Sequence, residues 1–376
     1  MRVAVDATPL LGARTGVARV TDELLVRLAD EPDLEEVAFG ITWRGRQALA
    51  AAVPRGITVA RRPMAARPLR ARWSRGDGPP VEWWTGAIDV VHGPNYVVPP
   101  ARDAGALVSV HDLTFVHHPE LCTADTLGYP PLIRRAVARG ALVHTGSHRI
   151  AEEITVELGV PADQVVVVPY GVTPPPPDPD GTRAATGRAL AGADRYVLAL
   201  GTIEPRKDLP TLVRAFDLLA AEDSSVGLVL AGPDGWGADA VTDAVAASPH
   251  RGRIRRLGFV AEADRLALLR GAAVYAFPSI YEGFGLPPLE AMAAGTPVVT
   301  TTAGSLPEVV GDAAALVAPG DVEGLAAAIA RVLADPAAAA DLVERGRARA
   351  ATFTWDATAA GIVAAYRRVA ALHSSV

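Results

Sequence analysis

Phe277-Pro278-Ser279-Ile280-Tyr281-Glu282-Gly283-Phe284-Gly285-Leu286-Pro287-Pro288-Leu289-Glu290 is the stretch on which the fold turns. It follows an apolar run over 274–276 and leads into a helical pattern over 288–294, which gives way to a second apolar run over 297–301. Short apolar runs separated by helix-length segments are the pattern of a parallel α/β sheet, whose strands are buried on both faces. The loop between run and helix is built for a ligand. Gly283 and Gly285 permit close approach to the backbone, and the N–H groups around Phe284 and Leu286 lie at a helix N-terminus, where an anion is favoured. Glu282 in the loop and Glu290 in the first helical turns bracket this phosphate cradle. Both carboxylates are placed to meet one ligand at different depths, one suited to sugar hydroxyls and the other to a ribose diol.

The same alternation extends outward. Strands are expected over 196–200, 227–231 and 254–257, with helices over 209–221 and 264–271. Ser305 and Glu308 spell a capping box for a short helix, Asp321 is a good N-cap for a helix to about 333, and 355–372 reads as helical. Upstream, apolar runs over 3–6, 37–41, 57–60, 90–92, 106–110, 141–145 and 165–168 read as strands, with an amphipathic helix from Gly16 to about 29. Residues 174–181, Pro-Pro-Pro-Pro-Asp-Pro-Asp-Gly, can continue neither a helix nor a central strand. The expected organisation is therefore a Rossmann-like domain over 1–178, a second over 179–354, and a helical region over 355–376 packing back toward the first. Two doubly wound domains create a cleft between the carboxyl ends of their strands, where open α/β sheets bind ligands.

Composition narrows the classes. The chain has 376 residues, enough for two cores, and a net charge of −6, which argues against nucleic-acid binding. No apolar stretch is long enough for a membrane span, and Met1-Arg2 runs directly into Val3-Ala4-Val5 without a signal segment, so a cytoplasmic protein is expected. Cys122, the single cysteine, reads as packing. Residues 41–76 hold nine arginines, from Arg44 to Arg75, and no acid. With Trp43, Trp73, Trp83 and Trp84 in or just beyond it, this segment offers a peripheral contact with an anionic membrane at its inner face, or a phosphate-bearing acceptor; a solvated helix face is the plainer reading. Lys207 is the only lysine, so position 207 is one where an ammonium has a purpose.

Glu282 and Glu290 match the Glu-x7-Glu signature of the retaining GT-B glycosyltransferases of family 4, which the chain resembles along essentially its whole length. The resemblance extends to Gly16-Val17-Ala18-Arg19, Asp89-Val90-Val91-His92-Gly93-Pro94-Asn95-Tyr96, His111-Asp112-Leu113, Gly201-Thr202-Ile203-Glu204-Pro205-Arg206-Lys207 and Gly258-Phe259-Val260. It implies a GT-B fold, two Rossmann-like domains facing each other across a deep cleft, and a metal-independent hexosyl transfer without cofactor from a nucleotide diphosphate sugar. GDP-mannose is the first expected donor, with UDP- and dTDP-sugars next. A glycan, lipid-linked or small-molecule hydroxyl is the acceptor.

The resemblance also implies roles. Arg206 and Lys207 bind the donor diphosphate, whose negative charge grows as it leaves. Glu282 contacts the sugar and Glu290 the ribose, neither as a glycosidase-style nucleophile. Gly16 brings backbone N–H groups to the diphosphate, Gly283, Phe284, Gly285 and Leu286 contact the donor, and Val260 contacts the nucleobase. His111, following an apolar strand, contacts the transferred sugar and supports catalysis. Asn95 and Tyr96 are acceptor-side candidates. Ser147-His148 departs from the Ser-Glu pair common in the family. Asp178-Pro179-Asp180 imitates a metal-binding Asp-x-Asp, but it lies in the proline-rich segment with no strand to aim its carboxylates. Alternatives are a GT-B-fold sugar-nucleotide epimerase, a phosphorylase, or a non-catalytic sugar-binding protein.

Overall fold

The structure, a computed structural model describing residues 1–12 and 15–374, divides into two compact units. One comprises Met1–Gly171 with Thr354–Val376, the other Val172–Phe353. The division precedes the proline run, whose carbonyls belong to the second unit: Arg270 Nη2 donates to Pro176 O at 2.6 Å and to Pro175 O at 3.4 Å. Asp178 and Asp180 cap the helix Thr182–Ala191, accepting from the N–H groups of Arg183, Ala184 and Thr182 at 3.0–3.1 Å.

In the first unit, strands β1 (Arg2–Asp6), β2 (Glu35–Phe39), β3 (Thr58–Val59), β4 (Val90–Gly93), β5 (Gly105–Ser109), β6 (Leu142–Thr145) and β7 (Val165–Val167) form one sheet in the order β3-β2-β1-β4-β5-β6-β7. In the second, β8 (Arg195–Leu200), β9 (Val226–Ala231), β10 (Ile254–Gly258), β11 (Val274–Phe277), β12 (Val298–Thr301) and β13 (Ala315–Val317) run β10-β9-β8-β11-β12-β13. All recorded pairings are parallel. Val3, Val5, Val90 and Leu107 are wholly buried in one core, and Val197, Leu228, Val274 and Val299 in the other, as continuous apolar strands covered on both faces require. Each sheet reverses its winding beside its first strand, between β1 and β4 and between β8 and β11. At such reversals the connecting loops diverge, leaving a crevice at the strand carboxyl ends.

The closing helix Trp355–Ser374 belongs to the first unit, where Ile362, Val363, Tyr366 and Val369 join the core of β1. A buried polar chain ties it to the sheet. His92 Nδ1 lies 2.7 Å from Tyr366 Oη and His92 Nε2 lies 2.9 Å from Ser109 Oγ. Ser109 Oγ lies 2.8 Å from His144 Nδ1, and His144 Nε2 lies 3.1 Å from Val168 O. A carbonyl only accepts, so His144 carries its proton on Nε2, and the remaining directions follow with both rings neutral. Tyr366 donates to His92, His92 to Ser109, and Ser109 to His144. Burial pushes the His144 pKa down to about 4 and that of His92 well below its ordinary value.

Ser305 departs from the expected capping box. It already has helical backbone angles (φ −86°, ψ −2°), makes no side-chain cap for Leu306–Val310, and instead donates from Oγ to Glu282 O at 3.1 Å. Asp321 does cap Val322–Ala334, accepting from Gly324 N at 2.8 Å. Strand β13 and the helices Thr182–Ala191, Asp239–Ala247 and Pro336–Ala351 are additions to the sequence reading.

Candidate functional site

The loop 278–285 leaves β11 and enters the helix Leu286–Ala294. Gly285 is its N-cap at φ +102°, a left-handed conformation, and a Cβ there would lie 2.7 Å from Leu306 Cδ2. Glu282 is held at both ends. Ser279 Oγ donates to its Oε1 at 3.0 Å, while Ser305 donates to its carbonyl from both N (2.9 Å) and Oγ (3.1 Å). Gly304, at φ +54°, passes so close that a Cβ would lie 2.1 Å from Glu282 O. Glu282 is thus buried, at 8% exposure for the whole residue, with its carbonyl fixed by Ser305.

Arg206 fastens the loop after β8 to the loop after β11. Its Nη1 lies 2.5 Å from Glu282 Oε1 and donates to Tyr281 O at 2.9 Å, and its Nη2 donates to Glu204 Oε1 at 2.8 Å. The backbone repeats the connection, with Ile280 N donating to Arg206 O at 2.9 Å. Lys207 differs. Among the described residues it enters no ion pair, and its Nζ donates to Thr202 O at 2.8 Å. Burial lowers its pKa, and the Glu204 and Glu282 carboxylates oppose that shift. The pair therefore splits into a neutralised guanidinium and an ammonium whose charge no hydrogen-bonded carboxylate balances.

Glu290 has a partner the motif did not reveal. Arg265 Nη1 donates to Glu290 Oε2 at 2.7 Å, and Arg265 Nε and Nη2 bind both oxygens of Glu262 at 2.8 and 2.7 Å. Burial works against the Arg265 charge, but Glu262 and Glu290 more than offset it and hold its pKa above the ordinary value. Val260 follows the end of β10, half-buried beside Phe259, which is 77% exposed. Sequence reasoning gave Ser279, Ser305, Glu204 and Arg265 no role at the site; Ser305 and Arg265 lie 23 and 25 positions from the glutamates they hold, and no local pattern connects them.

In the first unit, His111 lies just past β5 with both ring nitrogens engaged. Nε2 is 2.7 Å from Pro94 O and Nδ1 is 2.7 Å from Tyr170 Oη. The carbonyl requires the proton on Nε2, so Tyr170 donates to Nδ1. Burial lowers the His111 pKa against the Pro94 bond and the Asp112 charge, so the imidazole is a neutral hydrogen-bonding group with no lone pair left for a base. Tyr96 is buried at a left-handed φ of +59°. It stacks on Tyr129 at 4.8 Å, meets His111 edge-on at 5.4 Å, and accepts from Asp112 N at 3.2 Å. It is a wall beside His111, with Asn95 half-buried next to it. Gly16 opens the helix Gly16–Leu28 behind the N-cap Thr15 and is exposed, with nothing within 4 Å of where a Cβ would stand. Ser147 caps the helix His148–Leu158, accepting from Ile150 N at 3.3 Å. Cys122 Sγ lies 3.6 Å from His118 O.

The arginine segment of the first unit places Arg44, Arg55, Arg61, Arg62, Arg67, Arg72 and Arg75 at the surface, while the Arg46 side chain lies outside the described residues. Trp43 and Trp83 are each 58% exposed, whereas Trp73 is buried. No helix among the described residues is long and apolar enough to cross a membrane, and no three His, Cys, Asp or Glu residues among them gather as a metal site.

Residues 186–349 match the family described as Glycosyl transferases group 1. The chain is 30% identical to O-antigen chain mannosyltransferase B of Escherichia coli over 98% of its own length and 100% of that protein. It is 34% identical to MMP alpha-(1->4)-mannosyltransferase of Mycolicibacterium hassiacum over 65% of this chain and 58% of that one. Among solved structures, Anabaena Alr3699/HepE in complex with UDP aligns over 100% of both chains at a TM-score of 0.72 and 19% identity. WaaG, a glycosyltransferase involved in lipopolysaccharide biosynthesis, aligns over 97% of this chain and 98% of its own at 0.74 and 16%. Identities that low bear on the fold alone.

Proposed function

The chain belongs to the Glycosyl transferases group 1 family with the GT-B fold, and from that premise we propose that this glycosyltransferase moves mannose from GDP-mannose to a hydroxyl acceptor, with retention and without a metal. The observation that carries the reading is Lys207, an ammonium without an ion-pair partner among the described residues, in the loop after β8, where the winding of the second sheet reverses. A nucleoside diphosphate gains negative charge as it departs, and a fixed cation there stabilises that charge more in the transition state than in the ground state. Mannose as the sugar rests on the names of two relatives, both mannosyltransferases. UDP- and dTDP-sugars are the next donors to test, the former because Alr3699/HepE was solved with UDP.

In this reading Glu282 meets the sugar hydroxyls from its serine-held position, and Glu290 meets the ribose with one oxygen anchored by Arg265. The N–H groups of Phe284, Gly285 and Leu286 serve the phosphates, Gly16 is a further candidate for a backbone contact with them, and Val260 with exposed Phe259 borders the base. His111 contacts the transferred sugar as a neutral group, donating to it only by exchanging the Nε2–H bond to Pro94 O, and the departing phosphate takes the acceptor proton. The acceptor, a glycan, lipid-linked or small-molecule hydroxyl, lies toward Asn95 and Tyr96. The arginine segment with Trp43 and Trp83 is its contact with an anionic membrane, and the protein works at the cytoplasmic face.

Incubating the protein with GDP-mannose, UDP-glucose or a dTDP-sugar and a panel of hydroxyl acceptors, then reading the product anomer by NMR, tests the proposal. The expected product is an α-mannoside, formed equally in EDTA and absent with Lys207→Ala. Inverted product, loss of turnover in EDTA with rescue by Mg²⁺, or a 2-epimerised free nucleotide sugar made without acceptor would overturn it.

A further inference from the structure

Glu204 has no place in the donor-binding roles described above, yet its carboxylate binds Arg206 and its charge acts on Lys207. Its Oε1 accepts from Arg206 Nη2 at 2.8 Å, and it is the foremost charge sustaining the buried Lys207 ammonium. The two edges of the Arg206 guanidinium are held very differently. Nη1 is anchored on the inner side, by Tyr281 O at 2.9 Å and by Glu282, whose side chain is 11% exposed. Nη2 is held on the outer side by Glu204, whose side chain is 26% exposed. The outer partner is the one solvent can replace.

We propose that Glu204 is an internal placeholder for the donor diphosphate, a carboxylate that occupies the outer edge of Arg206 when no nucleotide is bound and is exchanged for phosphate oxygens when the nucleotide binds. The inference rests on the diphosphate assignment of Arg206 and Lys207. Its physical basis is competition. A guanidinium edge that forms hydrogen bonds to one anion must break them to serve another, and a carboxylate left beside a diphosphate repels it through a partly buried, weakly screened site. The same exchange runs backward after transfer, when Glu204 returns to Arg206 and helps the nucleoside diphosphate leave. Glu204 is thus a positioning residue that sets how tightly product is held, and it takes no part in bond making.

The sign of the effect separates this role from a structural one. Glu204→Gln keeps the shape and an oxygen acceptor for Arg206 Nη2 but removes the competing charge. Titrating the full-length protein calorimetrically with GDP and UDP should show Glu204→Gln binding the preferred nucleotide about three- to tenfold more tightly than wild type. The matching nucleoside, guanosine or uridine, should bind both proteins alike, and slower product release should lower kcat. Unchanged or weaker nucleotide binding by Glu204→Gln, or a gain shared equally by the nucleoside, would overturn the placeholder. Lys207→Met in parallel tests the underlying assignment by itself: it should lose nucleotide affinity, and if it does not, the diphosphate site lies elsewhere and the placeholder falls with it.

Discussion

Arg265 Nη1 donates to Glu290 Oε2 at 2.7 Å, so the second glutamate of the Glu-x7-Glu pair is oriented by a residue from the preceding helix, Glu262–Gly271. Both side chains are only 13–14% exposed, which makes the pair costly to break from one side. Arg265→Ala removes the paired cation from a largely buried carboxylate and should lower unfolding free energy by about 3 kcal/mol in urea titrations. Adding Glu290→Gln in that background should recover part of the loss, because the stranded charge is gone. A double variant less stable than Arg265→Ala would contradict the pairing argument.

Gly304 bears on Glu282 in the same manner through the backbone. A Cβ there meets Glu282 O at 2.1 Å, and the left-handed φ of +54° disfavours any other residue. Gly304→Ala should cost about 1–3 kcal/mol by overpacking. Because the displaced atom belongs to Glu282, kcat should fall while the Kd for the nucleoside diphosphate stays near wild type. Unaltered kcat would separate Gly304 from the site.

The buried chain Tyr366–His92–Ser109–His144 gives the first unit an acid limit. His144 has its pKa lowered to about 4, so between the ordinary value of 6.5 and that figure the unfolded chain binds a proton the folded one refuses. Stability is therefore full above pH 6.5 and falls as pH drops toward 4, by about 3 kcal/mol from His144 alone, with His92 acting in the same direction. Urea midpoints at pH 7.5, 6 and 5 should decline, and His144→Gln should flatten the decline at some cost in overall stability. A pH-independent midpoint in wild type would be incompatible with the neutral chain.

For the arginine segment, co-sedimentation with vesicles should require anionic lipid and fade with added salt, since contacts between exposed charges are screened. Trp43→Ala with Trp83→Ala should weaken the residual binding at high salt. Equal binding to zwitterionic vesicles, or none to anionic ones, would return the segment to a solvated face.

The positions of most strands along the chain and the residue types of the loops were legible in the sequence because both are local. Apolar runs such as Val3-Ala4-Val5 and Val274-Tyr275-Ala276 announce buried parallel strands wherever they lie, and the loop from Phe277 to Glu290 carries its glycines, glutamates and helix start within fourteen consecutive positions. What escaped was short or weakly patterned: β13 is an edge strand of three residues with only Ala315 buried, and Pro336–Ala351 is rich in alanine with few buried positions.

By itself, then, the sequence determined two doubly wound sheets and the residue types of the candidate site: Arg206, Lys207, Glu282, Glu290 and His111. Only the tertiary structure decided their partners and so their electrostatic states. Arg206 is neutralised by Glu204 and Glu282 while Lys207 is not, Glu290 is paired with Arg265, and His111 is locked neutral between Pro94 and Tyr170. The reason is that charge balance and proton position depend on contacts between neighbouring strand ends, and chain folding brings those ends together from distances in sequence that no local spacing records.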